Sequence, residues 1–260
     1  MSADIGWSGL AASLVLIVVA TALSRWQGLG LAPSMAWAAC RATAPLLVVG
    51  AALGLIIDPE RPLFLSWLWV ALMVVVAATT VRHRAREVPG LLGLSLAAMV
   101  AATAVSLTVI FGLGLFPLRG QVLVPMAGLV VGNSLGATVV AARRIVAELT
   151  DKRAEVEARL ALGQPGQQAA RPYVRAALRT ALVPQIESTK VVGLVALPGA
   201  MTGLILAGVD PVEAVRVQAA VMFLVLGSVA TTVTVVGLGL TRRLFTPDHR
   251  LVPLVRRADL

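Results

Sequence analysis

Charge is missing from long stretches of this 260-residue chain and crowded into the short stretches between them. Apolar runs of about 20 residues are the length that crosses a bilayer as a helix. Seven are predicted, at about 5–24, 42–57, 63–80, 91–115, 122–142, 191–209 and 215–240. The second is short for a crossing, and the fourth is long enough to tilt. With 58% hydrophobic residues, 13% charged and a mean hydropathy of +0.89, the chain carries more apolar surface than a water-soluble domain can bury. The expected fold is all-α and polytopic, a single transmembrane domain over 1–260.

The net charge of +9 indicates nucleic acid only if its placement is ignored. Lys and Arg in short loops are held on the cytoplasmic side. An outside N-terminus puts Arg25, Arg41, Arg82, Arg84, Arg86, the 143–190 segment and the C-terminal tail in the cytoplasm, and these hold 19 of the 22 Lys and Arg residues. The predicted topology is therefore N-terminus outside and C-terminus cytoplasmic, in a bilayer and without nucleic acid. No basic residue precedes Arg25, so the first run lacks the charged start of a cleaved signal peptide and is expected to remain as a membrane helix. The lone cysteine, Cys40, forms no intrachain disulfide and is expected to be a buried thiol.

Between the fifth and sixth runs lies the one sizeable polar piece, residues 143–190. Its first half reads as one helix with Glu148 to Lys152 and Glu155 to Arg159 at the favourable i,i+4 spacing. Gly163 and the Pro165-Gly166 pair stop it. Beyond that elbow Arg171, Arg175 and Arg179 make a basic stripe on a second helix leading to Pro184. A cytoplasmic helical hairpin follows, either a solvated connection or a docking element for a partner, and the second is preferred.

Residues 184–223 hold the densest set of candidates. Glu187 and Lys190 open the stretch, and Pro198-Gly199 interrupts an apolar run, a break that lipid tolerates only beside protein or a cavity. Met201 and Thr202 follow. Asp210, Pro211 and Glu213 have the pattern of a helix start, with Gln218 and Met222 further in. Asn133 and Ser134, between Gly132 and Gly136, combine an amide and a hydroxyl with close backbone approach. The transport-path candidates are Asn133, Ser134, Glu187, Lys190, Pro198, Met201, Thr202, Gln218 and Met222. No carboxylate lies inside the seven predicted runs and no ionisable group lies deep in one, Arg216 standing at the outer edge of the last, and His83 and His249 read as solvated surface. The G-x-x-x-x-G-K-[ST] phosphate loop, H-E-x-x-H and G-x-S-x-G are absent. No catalytic residue and no cofactor are assigned, and no metal ligands follow from the scattered methionines.

VVGNSLGATVVAARR at 130–144, EARLALG at 157–163 and ESTKVVGLVALPGAMTGLILAGVDPVEAVRVQAAVMF at 187–223 resemble the FetB-type family of iron-export ABC transporter permeases, which is related to plant aluminium-tolerance permeases. CRATAPLLVVGAALG at 40–54 extends the likeness to the N-terminal half. The resemblance implies a homodimeric permease in a cell inner membrane, exporting iron and driven by a separate cytoplasmic ATPase. It also implies that Glu157, Ala158, Arg159 and Gly163 begin an ATPase-coupling loop, although the usual spacing to a Leu-Pro pair is not kept. Where the family commonly has a glutamine in the second span, this chain has Pro45. Another metal or a nucleotide sugar as cargo, and a non-ABC channel or scaffold, are the alternatives.

Overall fold

A computed structural model of the chain describes residues 7–41, 50, 62–193, 197–246, 248 and 250–252. The second predicted run, with Pro45, falls outside the described residues apart from Gly50, and His249 lies outside them too. The described residues are mainly helical and hold no strand, and Phe245 and Leu251 form an isolated antiparallel bridge. The chain divides into two units at Arg61–Pro62. The first contains α1 (Trp7–Trp26) and α2 (residues 32–41). Cys40, on α2, is exposed and not buried as expected, because α2 buries almost none of its side chains.

The second unit comprises α3 (Leu63–Arg84), α4 (Leu91–Gly112), α5 (Gly120–Asp151), α6 (Arg153–Ala161), α7 (Gly166–Val191), α8 (Gly199–Leu206) and α9 (Pro211–Arg243). Four described helices, α3, α4, α5 and α9, are long and apolar enough to cross a membrane. Their boundaries follow local chemistry. Pro62 precedes α3, and Arg82, His83 and Arg84 occupy its last turn, where cations favour the negative end of the helix dipole. At the start of α9 the Asp210 carboxylate accepts hydrogen bonds from the amides of Val212 (2.9 Å) and Glu213 (3.2 Å), with Pro211 in the first turn, as the sequence predicts.

Three apolar clusters stack along the bundle. Val70, Leu107, Leu123 and Ala127 form one end, a middle layer includes Ala102, Val130, Ala181, Val225 and Val229, and the largest cluster gathers Val81, Leu91, Ile145, Leu149, Ala170 and Leu240 at the other. That last end is the basic one. There Arg143 pairs with Glu87 at 2.8 Å and also reaches the Arg84 carbonyl, and Arg243 donates to the Gly90 carbonyl at 2.6 Å. The tight turn between α3 and α4 is thereby tied to α5 and α9.

Close helix approach rests on small residues. A Cβ at Gly237 would meet the Leu178 side chain at 2.9 Å, and Gly239 sits directly against Leu94, whereas Gly93 faces open space. Gly237→Val is expected to destabilise the bundle by about 1–3 kcal/mol through overpacking, and Gly93→Ala to cost nothing. Thermal unfolding of both variants in detergent tests this, and equal melting temperatures would contradict it.

Candidate functional site

The polar hairpin expected at 143–190 is built differently from the sequence reading. α5 runs on past the apolar run to Asp151, and the single helix predicted for its first half breaks at Lys152. That break shifts the ion pairs. Lys152 pairs with Glu155 (2.8 Å) and Arg153 with Glu157 (2.7 Å), in place of Glu148 with Lys152 and Glu155 with Arg159. The other oxygen of Glu155 accepts a hydrogen bond from the Tyr173 hydroxyl at 2.8 Å, and the Arg159 guanidinium lies 5.8 Å from the Tyr173 ring centre. Sequence reasoning missed Tyr173, whose signal is that it is the chain's one tyrosine.

Glu157 and Ala158 are exposed on α6, and Arg159 is half-buried against α7. Gly163 turns the elbow with φ +83°, a conformation that costs a non-glycine residue roughly 1–2 kcal/mol. Hydrogen bonding to Lys152 chiefly, then to Tyr173, holds the Glu155 carboxyl below its ordinary range. Glu155 in turn draws the Lys152 ammonium upward. Tyr173 is raised first by burial and second by its bond to Glu155.

α7 does not stop at Pro184. It passes through Pro172 and Pro184 to Val191, and each proline removes one backbone donor. It runs antiparallel to α9, because Gly166 lies against Phe245 and Leu178 against Gly237. Ala181 then joins the middle layer with Val225 and Val229. Glu187 stands nine residues beyond Leu178, about 14 Å at 1.5 Å per residue, which brings it level with Ser228 near the middle of α9. The polar segment up to Lys190 is therefore one continuous helix from Gly166, with Ala177, Leu178, Ala181 and Leu182 packed on the apolar spans. Glu187 and Lys190 form an i,i+3 ion pair at 2.8 Å, with side chains 59% and 64% exposed.

The same level contains the α5 candidates. Ser134 is fully buried, its Oγ 3.5 Å from the Ser228 Oγ, which donates to the Val225 carbonyl at 2.8 Å. Thr138 and Thr232 bond back to the carbonyls of Ser134 (2.6 Å) and Ser228 (2.7 Å). Ser134 thus belongs to a packing seam between α5 and α9. Asn133, on the exposed side of α5, donates to the Leu129 carbonyl at 2.8 Å, which leaves its side-chain oxygen free to accept. Gly132 and Gly136 face open space.

The Pro198-Gly199 break is the start of a separate short helix. Pro198 caps α8, and Thr202 bonds back to the carbonyls of Gly199 (3.0 Å) and Pro198 (3.3 Å). α8 packs on α9 with no fully buried residue, and Met201 and Met222 are half-buried. Gln218 is 7% exposed, and its Oε1 has no hydrogen-bond donor among the described residues. It lies ten residues, about 15 Å, from Ser228 along α9. The candidates therefore fall into a coupling group on α6, a mid-bundle level with Asn133, Glu187 and Lys190, and a group around α8 and the start of α9. Among the described residues no cluster of three His, Cys, Asp or Glu could hold a metal.

Several apolar bundle-spanning helices, a basic end and a polar pair beside the spans define a polytopic membrane protein. Residues 7–245 match UPF0014, described as an uncharacterised protein family, and the chain belongs to that family. It is 37% identical to the UPF0014 membrane protein STAR2 of rice over 84% of this chain and 76% of that protein. It is 36% identical to ALUMINUM SENSITIVE 3 of Arabidopsis thaliana over 84% and 80%, and 32% identical to the probable iron export permease protein FetB of Escherichia coli over 94% and 93%. No solved structure matches.

Because Tyr173 is the one tyrosine, an alkaline absorbance titration reads it alone. Its tyrosinate transition is expected above the ordinary tyrosine range. Glu155→Gln should move it down while leaving it raised by burial. The lowered Glu155 gives the α6–α7 contact stability that is present above the ordinary carboxylate pKa and lost as pH falls through the folded value. Amide exchange in 153–161 should accelerate there, and no such acceleration should occur in Glu155→Gln.

Proposed function

We propose that the chain is the membrane-spanning permease subunit of an ABC exporter, working as a homodimer in a cell inner membrane with a cytoplasmic ATPase supplied by another chain, and that its cargo is iron. The observation that supports this reading is the Glu187–Lys190 ion pair near the end of α7, the helix that packs antiparallel on α9, ends at Val191 and is followed by the short α8; at helical rise the pair comes level with the middle of α9. An ion pair at hydrocarbon depth is stable only against protein or a water-filled path. A membrane crossing made of two short helices likewise belongs beside a cavity. In this reading the last three turns of α7, the interruption and α8 together form the sixth of seven crossings. The basic end, with Arg84, Arg86, Arg143, Arg144, Arg242 and Arg243, faces the cytoplasm.

The name of the Escherichia coli relative supports iron as cargo, and the lack of a phosphate loop in the sequence supports a separate ATPase. A lone carboxylate with an amide oxygen at its level offers few, hard oxygen ligands. Such a site passes a hydrated or complexed cation and does not trap it. Glu187 attracts the cation, and the paired Lys190 limits its hold. At the basic end, α6 and the Gly163 elbow take up the movement of the ATPase and pass it through the Tyr173–Glu155 bond into α7, the same helix that bears Glu187. Glu157, Ala158 and Arg159 meet the ATPase.

Reconstituted with its ATPase, the protein is expected to hydrolyse ATP faster when iron is present on the cytoplasmic side and to accumulate iron in inverted vesicles. Glu187→Gln should cut accumulation roughly tenfold or more while basal hydrolysis persists. Glu157→Arg and Gly163→Pro should each abolish iron stimulation while the protein still inserts. Hydrolysis without iron accumulation would overturn the cargo, and unchanged transport in all three variants would overturn the assigned path and coupling.

A further inference from the structure

Three guanidinium groups at the basic end take no part in the proposed coupling or path. Arg171 and Arg175 on α7 and Arg242 near the end of α9 line a groove of about 360 Å³ between the two helices. All three are exposed, and none has a carboxylate within ion-pair distance among the described residues. The groove changes character along its length. Towards the start of α7 it presents the amides of Gln167 and Gln168, and towards the bundle it becomes apolar with Val174, Leu178 and Leu238. Leu238 is 60% exposed. α7 itself begins with no acidic residue in its first turn and no side-chain cap, so the positive end of its dipole adds to the arginines.

A dissolved anion would be satisfied by the cationic end alone and would leave the exposed apolar wall unused. One ligand class matches both ends at once: a phosphodiester on the arginines with hydrocarbon running along Leu178 and Leu238. We infer that this groove is a binding site for the headgroup of an anionic phospholipid in the leaflet at the basic end of the bundle. Its position suits that ligand. Leu178 packs over Gly237, six residues from the end of α9, so Arg175 and Arg242 stand where a helix bundle emerges from hydrocarbon into the headgroup layer. A phosphate held between α7 and α9 would clamp the helix that bears Glu187 to its neighbour. The site itself does not depend on the transported cargo.

The test uses the full chain purified in detergent, with short-chain phosphatidylglycerol, short-chain phosphatidylcholine and inorganic phosphate as probes, read by native mass spectrometry and by melting temperature. Phosphatidylglycerol is expected to bind and to raise the melting temperature, while the other two do neither. Changing Arg171, Arg175 and Arg242 together to Gln should weaken binding roughly tenfold or more, and Leu238→Asp should weaken it with the arginines intact. A triple Arg→Lys variant, which retains the charge, should fold and bind more tightly than the Gln variant. Equal binding of inorganic phosphate, or phosphatidylglycerol binding that ignores all these changes, would overturn the proposal. So would intact lipid binding combined with loss of ATPase co-purification in the Gln variant, which would make the groove a protein-docking surface.

Discussion

Burying leucine against leucine gains little in a bilayer, because the lipid tails are as apolar as the side chains. Helices there are held by close backbone approach and by polar contacts between spans, and the second unit of this protein depends on both along α9. Gly237 admits Leu178, Gly239 admits Leu94, and the buried hydroxyls of Ser134, Thr138, Ser228 and Thr232 fill the seam with α5. Because α9 is pinned to α4, α5 and α7 by these small residues, the level of each side chain along the bundle is fixed. That fixed level gives Glu187 and Lys190 their significance.

The apolar framework was legible in the sequence. Predicted runs at 63–80, 91–115, 122–142 and 215–240 correspond to α3, α4, α5 and α9, since an uninterrupted apolar stretch of bilayer length has few other solutions. The Asp210 cap and the Gly163 elbow were legible too, because each depends on a local backbone requirement that few residues meet. α7 was not. Its sequence carries Arg171, Arg175, Arg179, Glu187 and Lys190 and two prolines, so hydropathy assigns it to water, and only the packing of Ala177 and Ala181 against the bundle shows where it goes. The break at Lys152 was equally invisible, as no glycine or proline marks it.

The candidate site divides along the same line. Residue type singled out Asn133, Glu187 and Lys190, yet only the antiparallel register of α7 and α9 places them at one level. Ser134, next to Asn133, turns instead into the seam, a distinction of about 100° around the helix that composition does not reveal. Tyr173, absent from every motif, joins α6 to α7 through Glu155.

The central claim is that α7 carries Glu187 and Lys190 into the membrane and presents them to an aqueous path. Cys40 is the chain's one cysteine, so Cys40→Ser provides a clean background for single cysteines placed from residue 176 to 191. In proteoliposomes, a charged, membrane-impermeant thiol reagent should label the start of this series freely from the basic side, and then, beyond about residue 180, only positions on the Glu187 face. Uniform labelling through residue 191 would contradict the account by placing α7 in bulk water.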